Sequence, residues 1–135
     1  MNTIYIASVA IINCKKELLL VRKKQSIFYQ LVGGKIQPNE TIEQTVIRET
    51  LEEVGFKIIE QDLVKMGTHK TKAVNEPNTQ VEGHIFYLTL NGEALPIIAN
   101  EIEDYVWMTP NNYKNYQWAH LAQEFVLPFW LKLIE

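Results

Sequence analysis

The stretch GKIQPNETIEQTVIRETLEEVGF, residues 34–56, decides the fold. Its second part reads as a helix with both ends marked. Thr41 followed three residues later by Gln44 has the form of a capping box, and Gly55 stands where a helix closes through a left-handed residue, with Phe56 as its apolar partner. At about 100° per residue, Ile42, Val46, Ile47, Leu51 and Val54 share one face, with Thr50 in its middle. That face needs a sheet to cover it. The Thr50 hydroxyl is therefore expected to be buried, and to bond back to the carbonyl of Val46.

The same helix places Glu49, Glu52 and Glu53 at i, i+3 and i+4, on one arc beside the apolar face. Carboxylates so close repel one another unless a cation sits among them. Mg²⁺, with Mn²⁺ as a substitute, suits such a site, because it takes oxygen ligands in octahedral geometry and keeps water and substrate phosphates in its shell. Arg48 lies one turn before Glu52 and can brace the cluster. A glutamate-rich helix face is commonly no more than solvated surface, so the spacing alone leaves both readings open.

Outward from this helix, residues 3–13 are rich in Ile, Val and Ala and read as a strand, residues 13–16 as a turn, and residues 17–22 as the returning strand. Residues 29–32 are extended and end at Gly33-Gly34, where backbone can approach a ligand. Further strands are expected at residues 63–68, 80–90 and 101–108, the second ending at the turn pair Asn91-Gly92. Residues 119–134 have helical spacing, which Pro128 should kink or shorten. The pattern is α+β: a mixed sheet with one central helix and one C-terminal helix, in a single domain over residues 1–135.

The 135 residues, 47% hydrophobic and 21% charged, are enough to bury a core and too ordered in pattern for a disordered chain. The single cysteine, Cys14, has no disulfide partner, and no basic leader or long apolar span is present, so a cytoplasmic setting is expected. A formal net charge of −3 argues against nucleic acid polymers and anionic membranes as partners. An anionic substrate would need a local cation to overcome it.

Gly34, Glu40, Arg48-Glu49, Glu52-Glu53, Gly55 and Phe56 stand in the register of the Nudix box, and here the chain resembles the Nudix hydrolases of MutT-like type. One position departs, Thr50 for the usual apolar residue. The opening strands and LVGGKI are similar to those of MutT-type members, with Val32 where most have proline. The later segments AVNEPNTQVEGHIFY and EIEDYVWM are similar to family segments too.

The resemblance implies the αβα sandwich of Nudix domains and a pyrophosphohydrolase acting on a small nucleotide, as a monomer or homodimer. The favoured reaction converts a nucleoside triphosphate to monophosphate and pyrophosphate; oxidised-nucleotide clearance is compatible with it. Hydrolysis of another nucleoside diphosphate derivative such as ADP-ribose is the alternative, and a non-catalytic nucleotide sensor a further one. The box implies Glu49, Glu52 and Glu53 as metal ligands with the Gly33 carbonyl, and Gly34, Glu40, Arg48 and Gly55 as the structural frame. Glu49 or an outside carboxylate would handle the attacking water; Glu101 is the first choice, ahead of Glu82 and Glu103, although a solvated charge at a strand start fits Glu101 as well. Arg22 and Lys23 are candidates for phosphate. Phe28, with Tyr29, Tyr116 and Trp118, is a candidate for stacking on a base, and Gln123 for reading its edge. The three histidines, His69, His84 and His120, share no ligand-like spacing.

Overall fold

Strand β1, Asn2–Ile12, is buried along its second half on both faces, which is why it reads as a continuous apolar run rather than an alternating one. In the computed structural model, which describes residues 1–92 and 94–135, β1 is the spine of a seven-stranded mixed sheet. On one side it pairs in parallel with β6 (Thr79–Thr89), and β6 pairs antiparallel with β5 (Val64–Lys72). On its other side β1 meets two strands in turn. Its C-terminal end pairs with β2 (Leu18–Lys23), its middle with β4 (Val32–Lys35), both antiparallel. β2 runs on between β3 (Tyr29–Gln30) and β7 (Ile102–Met108). β1 and β2 thus splay apart, and the glycine-bearing β4 fills the gap.

Alternate residues of the central strands feed two cores. Val9, Ile11, Leu19 and Val21 face helix α1 (Ile42–Val54), joining Val46 and Val54. Ala10, Ile12, Leu18 and Leu20 face the C-terminal helix, joining Val126 and Trp130. This is the expected layering, helix on sheet on helix.

Three details differ from the reading of the sequence. The fifth strand extends to Lys72, past residue 68. The C-terminal helix is not one regular element: residues Ala122–Val126 form a π-helical turn, followed by α2, Leu127–Leu133. Pro128 lies in the first turn of α2, where its missing N–H costs nothing, and the wider turn before it takes up the ring that would strike a regular helix. Leu51, expected on the buried face of α1, is 47% exposed. Thr45 holds the inner arc instead, at 0% exposure, so the buried face lies about one position round from the apolar stripe.

Candidate functional site

Both ends of α1 close as its residues dictate. The Thr41 hydroxyl accepts the Gln44 N–H at 3.0 Å and the Gln44 side chain accepts the Thr41 N–H at 2.9 Å, so two otherwise orphaned donors are satisfied. At the other end Gly55 takes φ 76°, a left-handed conformation that glycine adopts without strain, and donates to the Leu51 carbonyl. The chain before β7 supplies the remaining caps. Ile97 donates to Val54 O, Ala99 to Glu53 O, and the Asn100 amide to Glu52 O at 3.4 Å. The last turn of the helix, which carries the acidic cluster, is thereby tied to the strand bearing Glu103 and Asp104.

Arg48 is the hub of the box. Its guanidinium donates to Glu40 at 2.7 and 3.0 Å, to Glu49 at 2.9 Å, to Glu52 at 3.0 Å and to the Lys35 carbonyl at 3.2 Å. Glu40 also accepts from the Thr45 hydroxyl at 2.7 Å and the Gln37 N–H at 3.1 Å. Arg48 first, then Thr45 and Gln37, hold its carboxyl down at about 2, so it is ionised throughout the neutral range. This network ties the loop of residues 36–40 to the helix.

Glu49 and Glu53 lie on the other side, towards β4. Gly34 carries no Cβ because the Glu49 carboxylate occupies the space where one would be. Glu53 is 5% exposed, and its Oε1 accepts the Gly33 N–H at 3.2 Å. Burial pushes the Glu53 carboxyl up to about 8, against the pull of that hydrogen bond, and the neighbouring Glu49 charge adds to the rise. Glu49 is raised too, chiefly by burial, with Arg48 opposing. Two acidic groups are therefore kept in a place that disfavours their charge. Among the described residues no three acidic or histidine side chains form a ready-made chelate. Glu49 and Glu52 turn to Arg48, while Glu53 turns to Gly33.

The other candidates sort into two groups. Lys23 lies 3.6 Å from Glu101, and its charge acts on both Glu49 and Glu53; Glu101 in turn acts on Glu53. These two belong with the box. Arg22 does not reach it: its guanidinium is held by the Ser26 carbonyl at 3.0 Å, by Glu103 at 3.8 Å and over the Tyr29 ring. Glu103 is thus occupied with Arg22, and Glu82 with Lys70 and His84.

A cavity of about 160 Å³ opens beside Gly33, Gly34 and Lys23 and runs beneath the start of the C-terminal helix. Phe28 and Gln123 are not in it. They line a second cleft, about 400 Å³, with Tyr113, Tyr116 and Trp118. Tyr29 is buried rather than available for stacking, its hydroxyl donating to Asp104 at 2.6 Å. Ser8 and residues 71–72, which line the first cavity, were not singled out from the sequence, and residues 73–76 only as the start of the segment AVNEPNTQVEGHIFY, with no role given.

A carboxylate-bearing helix capped at both ends, laid beside a glycine pair in a mixed sheet, with a second helix on the far face, defines a class of αβα sandwich domains. The model of the NUDIX domain matches residues 3–127, and the chain belongs to that family. A protein of Bacillus subtilis (strain 168) named "Putative 8-oxo-dGTP diphosphatase" is 29% identical over 104 residues, 77% of this chain; the match spans 65% of that relative's length. Among solved structures, the dihydroneopterin triphosphate pyrophosphohydrolase of E. coli superposes with TM-score 0.78 at 19% identity, covering 98% of this chain and 99% of the other. The MutT protein of Methanosarcina mazei Go1 gives 0.74 at 21%, covering 97% and 92%. These likenesses establish the fold.

Proposed function

We propose that this chain is a divalent-cation-dependent pyrophosphohydrolase whose substrate is a nucleoside triphosphate, cleaved to monophosphate and pyrophosphate. The observation that carries the reading is the pair Glu49–Glu53, packed against the Gly33-Gly34 backbone at the mouth of a cavity, with carboxyl groups that burial disfavours as anions. A site that keeps acids where their charge is costly is matched to a cation.

The donor set fits Mg²⁺ or Mn²⁺. Glu49, Glu52 and Glu53 would supply carboxylate oxygen, the donor type that Mg²⁺ takes together with water and substrate phosphate. The carbonyl of Gly33 is a fourth donor. Gly33 faces Ser8 across the ladder while its N–H turns away to Glu53. In an extended strand the N–H and C=O of one residue leave by the same edge, which directs this carbonyl towards the carboxylates. These residues would hold the cation, whose chemistry there would be to polarise a phosphoryl oxygen and neutralise charge on the leaving group.

The remaining work falls to the chain's own groups. Arg48 holds Glu49 and Glu52 in place. Lys23, bridging Glu101 and the box, offers its ammonium to a phosphate oxygen at the cavity mouth. Glu101 is 76% exposed on its side chain, and its carboxylate can accept a proton from an incoming water. The name of the Bacillus subtilis relative supports a triphosphate over a diphosphate derivative such as ADP-ribose.

Release of pyrophosphate from a panel of nucleoside triphosphates, with Mg²⁺, with Mn²⁺ and with a chelator, tests this. Turnover is expected only with added metal. Undiminished turnover after exhaustive chelation would sink the mechanism, and monophosphate release from ADP-ribose alone would replace the substrate.

A further inference from the structure

The last turn of an α-helix leaves four carbonyls with no partner inside the helix. In α1 the Gly55 N–H takes the Leu51 carbonyl at 3.1 Å, and the other three, on Glu52, Glu53 and Val54, are each met by the segment that leads into β7. Ile97 and Ala99 reach Val54 and Glu53 with backbone N–H groups, at 2.9 and 3.2 Å, while the Glu52 carbonyl receives a side chain, the Asn100 amide, at 3.4 Å. A bond that long at an exposed position adds little stability. Its effect is to seat Asn100 over the acidic end of the helix.

Asn100 is also where the chain turns. Its φ is 59°, in the left-handed region that, glycine apart, asparagine and aspartate tolerate best. The Ile102 N–H closes a tight turn onto the Ala99 carbonyl at 3.2 Å, which makes Asn100 its first central residue. A positive φ at that place belongs to turn types dominated by glycine, asparagine and aspartate. The second central residue is Glu101. Its carbonyl accepts the Lys24 N–H at 2.8 Å, and its carboxylate lies 3.6 Å from the ammonium of Lys23 at the cavity mouth. Glu101 is thus mounted between the end of α1 and the end of β2, while Asn100 itself lines neither the cavity nor the aromatic cleft.

We infer that Asn100 is a positioning residue for the reaction: its left-handed turn, tied by the side-chain amide to the end of α1, holds the Glu101 carboxylate in reach of a water attacking beside the box glutamates. The inference rests on the cation-dependent hydrolase reading and names the residue that keeps its proton acceptor in place. A proton acceptor works only within hydrogen-bond reach of the water, so a displacement of about 1 Å lowers turnover without weakening substrate binding.

Two substitutions separate the turn from the side chain. N100A loses both the amide and the unstrained left-handed turn, whereas N100G keeps the turn. Steady-state hydrolysis of GTP, ATP, CTP and UTP with Mg²⁺ is expected to show kcat about tenfold lower in N100A at unchanged KM, with most of the loss recovered in N100G. In an E101Q background N100A should cost nothing further, the signature of one residue acting through the other. Two readouts need no turnover. Amide hydrogen exchange at Ile102 should quicken in N100A and keep the wild-type rate in N100G. Mn²⁺ affinity, read by electron paramagnetic resonance, should be equal in all three proteins. Undiminished kcat in N100A, equal losses in N100A and N100G, the same loss with and without E101Q, or a fall in Mn²⁺ affinity would overturn the inference. If no triphosphate is hydrolysed, the proposed reaction falls and Ile102 exchange still decides: unchanged exchange in N100A overturns the placement of Glu101 by Asn100, and faster exchange upholds it.

Discussion

Helix α1 and the C-terminal helix cover opposite faces of one sheet, and they contribute to it in opposite ways. The C-terminal helix is packing. Trp130 is fully buried, its indole N–H donates to the Lys16 carbonyl at 2.8 Å, and Tyr113 and Trp118 pack their rings against it. α1 buries polar groups that packing alone would not choose. It buries Glu53, an acid whose charge burial disfavours, and Thr50, whose hydroxyl has no partner. The expected back-bond from Thr50 to the Val46 carbonyl does not form. The expectation of burial was right, and the expectation of local satisfaction was wrong. One helix is well satisfied where it packs, while the other carries a buried acid and an unpartnered hydroxyl against the same sheet.

The largest effect should come from breaking the packing side. Trp130→Ala removes a fully buried ring and orphans the Lys16 carbonyl, so a loss of about 3–5 kcal/mol is expected in chemical denaturation. The metal response of whatever folded protein remains should be unchanged, because Trp130 belongs to the core on the face away from α1. A loss under about 1 kcal/mol would mean that the C-terminal helix is not the anchor.

Glu53→Gln tests the other side, with opposite signs for activity and stability. Loss of one ligand charge, worth several kcal/mol to the transition state, predicts a fall in kcat on the order of 100-fold or more. The metal-free variant should be more stable than wild type at neutral pH. In wild type the folded Glu53 carboxyl stands at about 8 against an ordinary 4.5, so its contribution to stability is fully present below about pH 4.5 and is lost as pH rises towards 8. Glu40, held at about 2, works the other way: its contribution is present above about pH 4.5 and lost as pH falls towards 2. Melting curves of metal-free protein from pH 5 to 8 should therefore fall with pH in wild type and flatten in Glu53→Gln. Parallel curves would show that Glu53 is not strained.

Thr50→Val is the smallest and sharpest of these changes. It fills the same space without the unpaired hydroxyl, and a stabilisation of about 1 kcal/mol is expected. Steady-state kinetics should not move, since Thr50 is sealed on the sheet side of the helix. A large rate loss at unaltered stability would place Thr50 in the active site.

What the sequence by itself determined is whatever depends on neighbours along the chain. The caps at Thr41, Gln44 and Gly55, the shared arc of Glu49, Glu52 and Glu53, and the reach of Arg48 follow from 3.6 residues per turn and from side-chain length, and the structure shows each. That β1 and β2 are apolar strands follows from residue type in the same way. What only the tertiary structure decided is whatever depends on how strands far apart in sequence are brought side by side. The splay of β1 and β2 seats Gly33-Gly34 against Glu49 and Glu53 and so creates their shifted acidity. Strand register separates Lys23 from Arg22: the first faces the box, while the second is spent on Ser26, Glu103 and Tyr29. The turn of α1 about its axis exposes Leu51 and buries Thr45, because the sheet offers one groove and the helix must fit it as a body. Ser8 shows the division most plainly. Along the chain it is one small polar residue in a largely apolar strand, and it comes to line a cavity only where residues 71–76 and 119–122 are brought beside it.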